Sequence, residues 1–128
     1  MRTQMWGSGP GAANVAGITG VPTTITADGT SEPIDISEVG TLMISAECGA
    51  PTGSSPTLNV YLDVQDAIGN WLQVCALTQL TGAAYTYSTV GPGTGSPYPL
   101  TAIARFRWDI GGTGSPTFPG FAVALAGR

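Results

Sequence analysis

The side chains best suited to chemistry in this chain are carboxylates, and one group of them has the composition of a calcium site. Asp63 and Asp66 are followed closely by Gly69 and Asn70, and carboxylate and amide oxygens on a loop are the ligands that Ca²⁺ prefers. The spacing of an EF-hand is absent, however, and a hairpin turn stabilised by Asp66 and Asn70 is the stronger interpretation. We therefore predict no metal site and no cofactor.

The remaining reactive side chains argue against an enzyme. The chain has no histidine, and all four basic residues are arginine, so the usual general base and Schiff-base amine are missing. Glu32, Asp35 and Glu38 lie in a turn-rich stretch, whereas a glycosidase needs two acids flanking a cleft. The glycine-rich segments do not end in the Gly-Lys pair of a phosphate-binding loop. We predict no catalytic residues.

The charge balance restricts the partners of the protein. Charged residues make up 9% of the chain and the net charge is -4, so there is no basic patch for nucleic acid or anionic lipid. No apolar run reaches the ~20 residues of a membrane span, and no signal peptide is indicated at the start, so we expect synthesis in the cytoplasm. So few charges are typical of a protein packed against neighbours, or of a high-GC genome, and both explanations stay open.

Met5 and Trp6 are the first candidate binding residues. They lie in the glycine-rich segment 1–20, which shows no sustained period and is predicted to be a flexible N-terminal arm. An exposed Trp on an arm is costly unless it docks somewhere. It would dock either on a partner, as interface hot spots favour Trp, or on its own domain.

Arg105 and Arg107 are the second candidates, since they lie on one face of a predicted strand with Asp109. They are expected either to form cross-strand ion pairs with Asp109 and Asp63, or to contact a neighbouring subunit, where the planar guanidinium is favoured over lysine.

Aromatic side chains form the third candidate set. Such residues line sugar-binding faces, but they more often pack in cores and interfaces. The residues concerned are Tyr61, Trp71, Tyr85, Tyr87 and Tyr98. The two cysteines, Cys48 and Cys75, are expected to be buried thiols, although a cross-strand disulfide stays an alternative.

Strands must position all of these residues, because apolar alternation between Gly/Pro-rich turns dominates the chain from Val21 onward. The loops are predicted at 49–56, 91–99 and 111–117. About seven or eight strands predict an all-β, antiparallel β-sandwich or jelly-roll-like domain over residues 21–128. The predicted strands span 22–27, 34–36, 41–48, 57–66, 71–80, 84–90, 100–110 and 118–126.

Three stretches carry a resemblance to a known class of protein. They are Leu58–Asp66 through Gly69-Asn70-Trp71, then Arg105–Gly112, then Ser115–Phe118 to the terminal Gly127-Arg128. They resemble small β-sandwich virion proteins of tailed bacteriophages, which often serve as capsid decoration or head-accessory proteins.

The resemblance implies a structural virion protein that binds and stabilises an assembled capsid. Its partners would be the major capsid protein and itself, as a homo-oligomer such as a trimer, on the capsid surface after synthesis in the host cytoplasm. The arm with Trp6 would add buried area or a strand across a subunit boundary. The alternatives are a phage tail or head-to-tail component, and a glycan-binding surface module that uses Tyr85, Tyr87 or Tyr98.

Overall fold

The computed structural model describes residues 4–9, 16–37, 39–91 and 100–128. Residues 1–3, 10–15 and 92–99, together with Glu38, lie outside the described residues, so the expectations for Glu38 and Tyr98 stay predictions. The strands within the described residues are β1 (Gln4–Gly7), β2 (Ala16–Gly17), β3 (Thr24–Ile25), β4 (Gly29–Thr30), β5 (Ile34–Asp35), β6 (Leu42–Cys48), β7 (Thr52–Gln65), β8 (Trp71–Ala76), β9 (Ala84–Val90), β10 (Ile103–Pro119) and β11 (Ala122–Gly127).

Two sheets pack face to face as a β-sandwich, which confirms the predicted fold class. The five-stranded sheet has the order β2-β1-β11-β6-β9, and the six-stranded sheet has the order β3-β10-β7-β8, with β4 and β5 also paired to β10. The pairings are antiparallel except for the short parallel contact between β1 and β2. The number of strands exceeds the predicted seven or eight because β1, β2 and β4 were not predicted, whereas β3 and β5 lie within the predicted strands 22–27 and 34–36.

Alternation along the strands builds the core, because every second side chain of a strand points to the same face. In β6 the residues Leu42, Ile44, Ala46 and Cys48 are all buried, as predicted. The same holds in β7, whose inward residues reach at most 1% exposure. The largest fully buried side chains are Phe106 and Phe118 of β10, with Ile25, Ile36, Leu42 and Ile44.

Part of the segment expected to be an arm is built into the sandwich. Gln4 to Gly7 pair antiparallel with β11, where Gln4 lies opposite Gly127 and Gly7 opposite Ala124. Trp6 belongs to the core with 8% exposure. This differs from the prediction because the strand is short and is followed by a glycine-rich stretch, while its pairing partner lies at the far end of the chain.

Two of the predicted loops continue the long strands. Residues 52–56 extend β7 and residues 111–117 extend β10, and the two extensions pair through register shifts near Gly111 and Thr113. Ser55 and Ser115 adopt left-handed backbone angles, with φ of 49° and 55°. Bulges accommodate such residues within an antiparallel ladder, so turn-forming residues here bend the strands without ending them.

Candidate interaction surfaces

The outer face of the five-stranded sheet is the most apolar exposed surface described; we call it the apolar face. Strand alternation directs the odd-numbered residues of β1, β6 and β9 and the even-numbered residues of β11 outward. Its members are Met5, Met43, Ser45, Glu47, Tyr85, Tyr87, Thr89, Ala122, Ala124 and Ala126.

The strand register gives the apolar face the shape of a trough. Met5 lies opposite Ala126, which lies opposite Met43, and Met43 lies opposite Thr89. One row further along, Ala124 separates Gly7 from Ser45. Small side chains thus form the floor between taller methionine and tyrosine side chains, and the trough has a volume of about 630 Å³.

Exposure of large apolar side chains is concentrated on this face. Met5, Met43, Tyr85 and Tyr87 are 53%, 43%, 57% and 65% exposed, and the fifth exposed large hydrophobic residue of the described chain, Ile68, lies in the β7–β8 turn. The rings of Tyr85 and Tyr87 lie 6.0 Å apart at 30°. Glu47 is the one charged strand residue of the described face.

Arg105, Arg107 and Asp63 form an ion-pair cluster on the outer face of the six-stranded sheet. Asp63 Oδ2 accepts hydrogen bonds from Arg105 Nε at 3.2 Å and Arg107 Nε at 3.0 Å, and Asp63 Oδ1 accepts one from Arg107 Nη2 at 3.3 Å. The Asp63 side chain is only 3% exposed. Of the two sequence alternatives for these arginines, cross-strand pairing is therefore the observed one, and the carboxylate is Asp63.

Aromatic rings complete this cluster. The Arg105 guanidinium carbon lies 4.3 Å from the centroid of Trp71, and that of Arg107 lies 4.1 Å from the centroid of Tyr61. Hydrogen bonding to Asp63 raises the pKa of Arg107. Burial, and then a hydrogen bond to Asp109, raise the pKa of Tyr61. The cluster thus holds its charges in fixed positions against rings of the same sheet.

The candidate aromatic residues do not form one platform. Tyr61 and Trp71 lie beneath arginines on the six-stranded sheet, whereas Tyr85 and Tyr87 lie on the apolar face of the other sheet. A sugar-binding surface among the described residues would therefore have to use the tyrosine pair alone.

The hairpin after β7 is held by its own side chains. Asp66 Oδ1 accepts hydrogen bonds from the backbone N–H groups of Ile68 at 3.0 Å and Asn70 at 2.8 Å. Asp63, the other acid of the calcium alternative, binds the arginines. No group of three or more acidic, histidine or cysteine side chains with metal-site geometry occurs among the described residues.

The two cysteines are free, buried thiols, which confirms that expectation over the alternative of a cross-strand disulfide. Burial raises the pKa of both the Cys48 and the Cys75 thiol, which keeps them protonated and poorly nucleophilic. Cys48 Sγ also donates a hydrogen bond to the Gly82 carbonyl at 3.3 Å.

The chain matches no protein-family model and has no significant match among curated proteins. No helix in the described parts of the chain could cross a membrane.

Sequence reasoning selected Met5, Tyr85 and Tyr87 but missed the rest of the trough. A signal for it was present: Met43 and the alanines of β11 put apolar residues at the positions that alternate with the buried ones. Apolar residues on both faces of a strand indicate that both faces become covered.

Proposed function

We propose that this protein is a structural virion protein that binds and stabilises an assembled phage capsid as a decoration protein, with the apolar face as its contact surface. The observation that carries the proposal is that four of the five exposed large hydrophobic side chains of the described residues lie on this one face. Exposed apolar residues scattered singly are ordinary, whereas a contiguous patch marks an interaction site.

The composition of the apolar face suits contact with protein. Interface cores are enriched in tyrosine and methionine and depleted of charge, and flexible methionines adapt to irregular surfaces. The alanine floor lets a partner approach the sheet closely. Identical weak contacts repeated over a particle would sum through multivalency.

The other candidate residues are less suited to contact a partner. Arg105 and Arg107 already neutralise the buried Asp63, so their withdrawal for a partner would leave a buried carboxylate unpaired, which is costly. Trp6 supports the sheet from inside, and its neighbour Met5 supplies the exposed contact. Deletion of residues 1–20 would remove a core residue, so a point variant gives a cleaner test.

The test uses Met43→Lys with Ile68→Lys as the matched control. Both positions are exposed, but only Met43 lies on the apolar face. Burial of an ammonium group in an apolar contact costs at least about 2 kcal/mol, roughly thirtyfold in Kd. Co-sedimentation with particles of the phage that encodes the chain should weaken by that factor for Met43→Lys and stay unchanged for Ile68→Lys.

The number of copies per particle and the heat resistance of the particle separate the alternatives. A decoration protein should occur in many copies per particle and increase resistance to heat, whereas a tail or head-to-tail component should occur in few copies. Equal particle binding by both lysine variants would refute the apolar face as the contact.

A glycan-binding module is the second candidate, and the paired, half-exposed rings of Tyr85 and Tyr87 favour it. Aromatic faces of this kind stack on sugar rings. In that case the isolated protein should bind host-surface polysaccharide, and Tyr85→Ala should abolish the binding while Met43→Lys leaves it intact.

A further inference from the structure

We propose that β9 is a pairing edge, at which two copies of this chain join by antiparallel strand addition into one continuous sheet. β9 ends the five-stranded sheet, with β6 on one side and no strand of the described chain on the other. The proposal does not depend on the proposed function, because it concerns backbone groups at the edge of the sheet, although the side chains of Tyr85, Tyr87 and Thr89 also belong to the apolar face.

Among the sheet edges described, β9 is the one that is both long and regular. The strands β2, β3, β4 and β5 are two residues each, which is too short to template much pairing. The ladder between β8 and β7 shifts its register between Leu62 and Asp63 of β7. A bulge of this kind protects an edge. β9 has seven residues in an unbroken register with β6.

The hydrogen-bond pattern of the neighbouring strands shows which backbone groups of β9 point to its open side. Arg128 and Thr41 exchange two backbone hydrogen bonds of 3.1 Å, so they form a hydrogen-bonded pair at the end of the β11–β6 ladder. Because such pairs alternate along an antiparallel ladder, odd-numbered residues of β6 bond to β11 and even-numbered ones bond to β9.

In the β6–β9 register, even-numbered residues lie opposite even-numbered ones, as Leu42 lies opposite Val90. The odd-numbered residues of β9 therefore direct their N–H and C=O groups away from β6. Backbone bonds from these groups to any other described segment are absent. The residues concerned are Tyr85, Tyr87 and Thr89.

β9 lacks the features that normally block edge pairing. Natural edges are protected by charged side chains, proline or bulges, whereas β9 reads Ala-Tyr-Thr-Tyr-Ser-Thr-Val. Its aromatic and β-branched residues are strong strand formers. The strand is therefore competent for pairing, and no described segment is hydrogen-bonded to its open side.

β9 is also complementary to a second copy of itself. With a two-fold axis at Tyr87, Tyr87 lies opposite the partner's Tyr87, and Tyr85 lies opposite the partner's Thr89, which is a favourable aromatic–β-branched pair. Three hydrogen-bonded pairs would each contribute two bonds, about six in all. The joined sheet would contain five strands from each copy.

The contact area indicates a reversible dimer. A seven-residue strand is about 24 Å long, and an edge about 10–15 Å deep, set by the sheet spacing, gives about 300 Å² per copy. Stable interfaces bury about 800 Å² per partner. We expect a monomer at low concentration and a dimer at high concentration.

Amide hydrogen exchange read by NMR tests the pairing residue by residue. As the concentration rises from about 1 μM to about 1 mM, exchange of the Tyr85, Tyr87 and Thr89 amides should slow at least tenfold. The Thr86 and Ser88 amides, which bond within the chain, should be protected throughout. Unchanged exchange of the three odd-numbered amides over this range would overturn the proposal.

Sedimentation of variants tests the same edge independently. Tyr87→Lys places two like charges directly opposite each other at the two-fold axis, which disfavours pairing, so the dimer Kd should rise at least tenfold. Tyr87→Thr keeps a strand former and should retain the dimer, and Ile68→Lys should have no effect. If Met43→Lys dissociates the dimer while Tyr87→Lys does not, the copies meet through the apolar face and the edge proposal fails.

Discussion

Replacement of Arg107 by methionine is expected to destabilise the sandwich more than replacement of Arg105 by methionine. Both arginines bind the buried Asp63, but Arg107 makes two of the three contacts, at 3.0 and 3.3 Å, and Arg105 makes one, at 3.2 Å. Arg107 Nη2 also donates to Gln73 Oε1 at 2.7 Å. Methionine keeps most of the aliphatic stem, so loss of packing is small.

The magnitude follows from the number of charged hydrogen bonds. A hydrogen bond to a charged group contributes about 1.5–3 kcal/mol, and we take the low end because the arginine side chains are 23% and 29% exposed. Arg107→Met should therefore cost about 3 kcal/mol and Arg105→Met about 1.5 kcal/mol. In either variant Asp63 keeps one cationic partner, which avoids the larger cost of an isolated buried charge.

Urea unfolding at pH 7 measures both costs, and the difference corresponds to about 5 °C in Tm for a chain of this size. The matched background is Asp63→Asn, in which the charge pairing is already lost. There, Arg107→Met should cost less than about 1 kcal/mol, which gives a coupling energy of about 2 kcal/mol. Equal costs for the two arginine variants, or no coupling to Asp63, would refute this account of the cluster.

Three further predictions concern the core, the backbone and the thiols. Trp6→Ala should lower the free energy of unfolding in urea by about 3–5 kcal/mol, because Trp6 is 8% exposed. The control Met5→Ala should change it by less than about 0.5 kcal/mol. An unchanged free energy of unfolding for Trp6→Ala would mean that β1 detaches freely from the sheet. Gly53→Ala should lower the free energy of unfolding by about 1–3 kcal/mol, since φ of Gly53 is +98° and a Cβ would lie 2.8 Å from Pro116 Cα. In the control Gly82→Ala the added Cβ meets nothing within 4 Å, so stability should be unchanged. Equal Tm values for the two variants would contradict this prediction. Burial raises the pKa of both cysteine thiols above the ordinary value of 9.0, so the stability they contribute is present below pH 9.0 and is lost as the pH rises further. A double Cys→Ala variant should therefore show a smaller decline of Tm at alkaline pH. An unchanged dependence of Tm on pH would contradict this prediction.

The strands with strict alternation were predictable in detail. β9 begins and ends at the predicted residues, and β6 differs from its prediction by one residue. The inward face of β7 was also predicted, because burial of Leu58, Val60, Leu62 and Val64 follows from their period alone. Alternation is a local property, so one segment contains all the information needed to recognise it.

The elements that sequence reasoning missed depend on distant partners. β1 is a strand because β11 lies beside it, and Ser8 Oγ accepts a hydrogen bond from the Val123 N–H, 115 residues along the chain. The extensions of β7 and β10 read as loops from their glycines and serines, yet each supplies the partner that keeps the other extended. Pairing across such distances leaves no mark within either segment.

The sequence by itself determined an all-β chain with few charges, a buried face on each long strand, and no histidine or lysine for acid–base chemistry. Only the tertiary structure decided which carboxylate Arg105 and Arg107 share, because Asp63 lies 42 and 44 residues away from them. It also decided that Met5, Met43, Tyr85 and Tyr87 meet on one face, and that β9 is left at an edge. The physical reason is that side-chain period is set along one strand, whereas neighbours and edges are set by the order in which strands pair.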